Sequence, residues 1–204
     1  MANKTGAFGL RPTRYLDGSK WDGKTQRCYV SSSYATALFI GDPVLLSPTL
    51  AEKDTTGRFQ TINKSAGTDG VIVWGVITSF EPNPDGLDKV YNPASTEAIA
   101  NVCIASSDLL FAIRGDGGGT PSKVFIGQNA VMIATSAGST STGLSGMHLD
   151  EGTTTAPSAD QSNPLFINGI QEIEDNTLAD NAVYEVLINT NENATGRILG
   201  VTAS

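Results

Sequence analysis

Residues 71–80 read VIVWGVITSF. β-Branched and aromatic side chains dominate this run, and they suit a pleated backbone better than a helix. Its apolarity is nearly continuous rather than alternating, which predicts a strand covered on both faces. Gly75 interrupts the run and marks a bulge or a point where another backbone comes close.

Strand signals continue on both sides of this segment. Residues 25–30 and 43–47 precede it, and Phe59 and Ile62 suggest a small extra strand within the 48–70 loop. Residues 98–105, 109–114, 130–135, 165–174 and 182–189 follow. In residues 183–188, Tyr184, Val186 and Ile188 share one face while Val183, Glu185 and Leu187 share the other. This mixed pattern suits a strand partly buried at an interface. Helical periodicity is confined to short stretches around 33–39 and 123–128, neither with strong caps. The connections at 48–70, 81–97 and 136–163 are long for a compact domain and read as contact surfaces. The expected architecture is mainly β, a β-sandwich or Greek-key barrel over residues 25–204, with an extended N-terminal arm over residues 1–24 lying outside it.

Charge supports that division. Residues 1–27 carry six basic and two acidic side chains, and the remainder carries seven basic and nineteen acidic ones, for a net charge of −8. A basic leading arm thus precedes an acidic body, either as a solvated tail or as a strap that docks on an acidic surface. An acidic body argues against nucleic acid as a partner. No apolar run reaches the length of a membrane span. No apolar leader follows Lys4, so the expectation is synthesis in a cytoplasm without export. Cys28 and Cys103 read as small buried hydrophobes rather than a disulfide.

The residue groups that could carry chemistry are weak. His148, with Asp150 and Glu151, offers metal-ligand types without a second cluster. Ser145 in GLSG lacks the spacing of a nucleophile elbow. The glycine run at 114–120, RGDGGGT, lacks the Lys and Ser/Thr that complete a phosphate loop. Glu172, Glu174, Asp175, Asp180 and Glu185 read as a solvated acidic face, or as the surface that receives the basic arm. The expectation is no catalytic residue, no cofactor and no metal.

Several blocks in fixed order carry a resemblance. They are GAFGLRPTRYLDGSKWDGKTQRCYV, SSYATALFIGDPVLL, GVITSFEPNPDGLDKVYNPAST, DLLFAIRGDG, STSTGLSGMHLD and LFINGIQEIEDNTLADNAVYEVLIN. Together they resemble the capsid decoration, or cement, proteins of tailed bacteriophages. The resemblance implies a β-sandwich or barrel on the outside of an icosahedral head, bound to the major capsid protein and bridging its subunits. It implies a virion location and self-association, first as a trimer at three-fold positions and next as a dimer. Other virion roles, in the tail or head-to-tail connector, and a host- or carbohydrate-binding decoration remain alternatives. The family has no catalytic residues to carry over. The contact residues expected here come from the arm itself: the aromatic anchors Phe8, Tyr15 and Trp21, flanked by Arg11, Arg14 and Arg27.

Overall fold

The computed structural model describes residues 3–83 and 86–190. The chain opens on β1 (Arg11–Tyr15) and then builds a barrel from β2 (Gln26–Val30), β3 (Pro43–Leu46), β4 (Gln60–Lys64), β5 (Gly75–Phe80) and β6 (Ala98–Ile104). The barrel closes in the spatial order β2-β4-β3-β5-β6. β2 and β4 run parallel, and the other neighbours are antiparallel.

The second half supplies β7 (Leu109–Arg114), β8 (Asn129–Ala130), β9 (Met132–Gly138), β10 (Ser145–Leu149), β11 (Leu165–Ile170) and β12 (Val183–Ile188). β1, β7, β12, β11 and β8 form an antiparallel sheet in that order, and β9 and β10 form a separate hairpin. The fold is therefore mainly β, a closed barrel joined to an open sheet. The short turns at Leu50–Glu52 and Lys123–Phe125 are 3-10.

Two hydrophobic cores follow from one alternation. On the paired strands β5 and β6, Val76 opposes Cys103 and Ile77 opposes Val102. Val76 and Cys103 point into a core shared with Phe111, Ile113, Met147 and Tyr184. Ile77 and Val102 point into the barrel, against Cys28, Val44 and Ile62. Successive side chains face opposite ways along a strand, so a strand between two interiors must be apolar at every position. Gly75 is a point of close approach: a Cβ there would lie 2.6 Å from the Cys103 carbonyl oxygen. The bulge falls two residues later, between Ile77 and Ser79.

The described part of the leading segment is not an arm outside the body. β1 is the edge strand of the five-stranded sheet, with Arg11 opposite Ala112 and Tyr15 opposite Leu109. Leu10 is 1% exposed and belongs to the larger core. Its N–H donates to the Gly41 carbonyl at 2.9 Å. Gly9 and Gly41 both adopt positive φ, and a Cβ on either would overlap the backbone of the other turn. Asn3 donates to the carbonyls of Thr177, Ala179 and Asp180 at 2.9, 3.2 and 3.0 Å. The strand is hard to see in sequence because Arg11, Pro12, Thr13 and Arg14 read as solvated, as edge strands often do.

Both cysteines are free and buried, one per core. Desolvation pushes each thiol up to about 12, which keeps it protonated and inert. Among the described residues no helix is long and apolar enough to cross a membrane.

Candidate interaction surfaces

The six residues expected as contacts fall into three places. Phe8 and Arg11 line a cleft of about 590 Å³ on the outer face of the five-stranded sheet, together with Arg114. The Arg11 guanidinium lies 4.9 Å from the Phe8 ring centre and that of Arg114 lies 5.5 Å from it. Arg14 sits beside this cleft, but its fork is taken. Its Nε donates to Glu185 Oε1 at 3.1 Å and its terminal nitrogen to Oε2 at 2.5 Å. Hydrogen bonding to Glu185 and its charge raise the Arg14 pKa, while Glu185 is itself buried. The acidic strand does receive the basic segment, within one chain, and Glu185 is not part of a solvated face.

Tyr15 and Trp21 pack half-buried against the larger core. They line a smaller cleft with Cys103 and Leu109. Arg27 lies on the barrel, bidentate to Glu81 at 2.6 and 2.8 Å and 5.0 Å above the Phe59 ring. Tyr15 and Trp21 therefore serve packing, and Arg14 and Arg27 already hold carboxylates. Phe8 and Arg11 remain presented to solvent.

A second surface lies in the 81–97 connection, read from sequence as a contact surface without its apolar residues being singled out. The β5–β6 connection displays Leu87, 75% exposed, and Val90, 47% exposed. They border a cleft of about 600 Å³ floored by Ile40, Phe80 and Tyr91. The loop is held in place. Tyr91 stacks on Phe39 with ring centres 5.0 Å apart and planes 8° from parallel. Asn92 and Leu38 exchange backbone hydrogen bonds, both 2.9 Å. The Asn92 amide donates to the Thr96 carbonyl at 3.0 Å. Leu87 and Val90 are the signal that sequence reading could have used: large apolar side chains in an otherwise polar, proline-bearing loop.

The groups examined for chemistry have structural partners. His148 on β10 is buried, 3.0 Å from Thr135 Oγ1 through Nδ1, and desolvation lowers its pKa. Asp150 accepts the N–H groups of Gly152, Thr154 and Thr155 and so pins the loop after β10. Glu151 accepts from the Tyr184 hydroxyl and from the Gly117 N–H, both at 2.8 Å. The glycine run is thus packed against Glu151 rather than free. Ser145 donates to Asp42 at 2.6 Å, and Asp42 also pairs with Lys64 at 2.7 Å. That trio, with Ser145 and Asp42 buried, ties the hairpin to the barrel. No group of His, Cys, Asp and Glu among the described residues is arranged to hold a metal ion.

Comparison with protein-family models, with curated proteins and with solved structures found no match to this chain.

Proposed function

We propose that this chain is a structural binding protein of the capsid-decoration type, which lies on the outside of a tailed-phage head and bridges capsid subunits. The observation that carries the reading is the β5–β6 loop, which holds Leu87 and Val90 out over an apolar cleft. Exposed apolar groups rimmed by polar ones mark protein-docking surfaces. The Phe39–Tyr91 stack anchors the second half of the loop, which lowers the ordering entropy lost on contact. The block resemblance supplies the partner, the major capsid protein.

Stabilisation then follows from mass action. A protein that binds the mature shell better than free capsid subunits shifts the equilibrium toward the shell. Contacts to two or more subunits reinforce one another through high effective concentration.

The test is co-sedimentation of purified protein with heads that lack it. Stoichiometric binding is expected, together with increased resistance of the heads to heat. The exposed pair L87D and V90D should reduce occupancy without changing the melting of the free protein. No binding by the wild-type protein overturns the reading.

A further inference from the structure

The outer face of the five-stranded sheet carries three guanidiniums and one carboxylate. The register places Arg11 beside Ala112, and Ala112 beside Glu185, while Arg114 lies two residues along β7 on the same face. Arg14 alone takes Glu185. Arg11 and Arg114 are left side by side over one phenyl ring, and neither has an ion-pair partner among the described residues. Arg114 donates from one terminal nitrogen to the Lys4 carbonyl, but its Nε is buried and has no acceptor among the described residues. Burial and the charge of Arg11 both push the Arg114 pKa down. Two like charges side by side in one cleft favour an anion between them.

Complementary charge lies next in sequence to residues that line this cleft. Gln171 and Ile173 line it. Glu172 and Glu174 alternate with them, exposed and without ion pairs among the described residues, although the charge of Glu172 reaches Arg14. Asn176 holds the backbone of this acidic turn in place. The Asn176 amide donates to the carbonyls of Gln171 and Val183 at 2.7 and 2.9 Å and accepts the Val183 N–H at 2.9 Å. Ile173, 49% exposed, stands between the two glutamates as an apolar contact.

We propose that this face is a two-fold interface between copies of the chain, in which Glu172 and Glu174 of each copy seat on Arg11 and Arg114 of the other. A surface that carries both a basic cleft and a neighbouring acidic turn can be self-complementary, and a two-fold axis satisfies both halves at once. Arg forks match carboxylates in two-point geometry, as Arg14 and Glu185 demonstrate on the same sheet. The inference is independent of head binding and concerns the free protein.

Charge reversal with mixing tests it. Sedimentation velocity of the wild-type protein at low salt should show a dimer that weakens as salt is added. R11E, at an exposed position on an edge strand, and the E172K/E174K pair should each raise the dimer dissociation constant by about tenfold or more. Circular dichroism and melting of both variants should match wild type, and R11Q, which removes the charge without reversing it, should still weaken the dimer if R11E does not fold. Mixing R11E with E172K/E174K in equal amounts should form a mixed dimer more readily than either variant alone, since one facing contact is then the wild-type one and the other pairs a new lysine with the new glutamate beside Arg114. A wild-type protein that is monomeric or trimeric, variants that associate like wild type, or a mixture that stays dissociated each overturns the proposal.

Discussion

Arg14 and Glu185 grip each other across an intervening strand. One lies on β1, the other on β12, and β7 runs between them. The pair therefore clamps three strands over Leu110 and Ala112, which are buried beneath it. Replacing Arg14 with Ala leaves a buried carboxylate without its donor. The expected loss is about 1–3 kcal/mol of unfolding free energy. Arg14→Lys should recover only part of it, because an ammonium cannot reproduce the fork. Urea denaturation midpoints of the two variants check this.

Leu10 makes the leading segment part of the core rather than an appendage. Leu10→Ala should cost about 2–5 kcal/mol, the range for opening a cavity at a fully buried site. Arg11→Ala, one residue on and exposed, should change stability by less than about 0.5 kcal/mol. The contrast between neighbours, read by thermal melting, separates a built-in strand from a loose tail.

Two buried titratable groups act on stability in opposite senses. Burial raises the Glu151 pKa above its ordinary 4.5. The folded state then holds a proton that the unfolded chain releases, so this contribution is full below 4.5 and is lost as pH rises. Burial lowers the His148 pKa below its ordinary 6.5. Here the unfolded chain binds the proton first, so stability is lost as pH falls below 6.5. The wild-type unfolding free energy minus that of E151Q should decline as pH is raised from 4.5. The same difference taken with H148Q should decline as pH is lowered from 6.5. Chemical denaturation across that range gives both slopes.

The Tyr91–Phe39 stack sets the pose of the β5–β6 loop. Tyr91→Ala should remove about 0.5–1.5 kcal/mol of ring pairing. It should also open residues 86–90 to cleavage. Limited proteolysis should cut the variant there faster than wild type, with the cut site read by mass spectrometry.

Much of the strand inventory was legible because it rests on local composition. Residues 26–30, 43–46 and 109–114 are bounded by turn residues and rich in β-formers, and they appear where expected. The double-sided burial of β5 was legible too, since it leaves a continuous apolar run. β10 was not. SGMHL carries small and polar residues, yet it is wholly buried because hairpin, barrel and sheet all pack around it. Gly146 is small there because Ser136 of β9 comes against it. The arginine cleft was half legible. Phe8 and Arg11 stood out as anchors, but Arg114 lies more than a hundred residues away, and only the β1–β7 register brings it alongside. Ion-pair partners such as Glu185 for Arg14 likewise depend on strand order, which composition does not encode.

The shared wall of β5 and β6 has a thermodynamic consequence. Val76 and Cys103 back onto the same two backbones as Ile77 and Val102, so neither interior can be flooded while the other stays dry. Loss of either would strip one side of a strand pair whose other side is still packed. The two interiors are therefore expected to melt together, in one transition that probes in the barrel and in the sheet report alike.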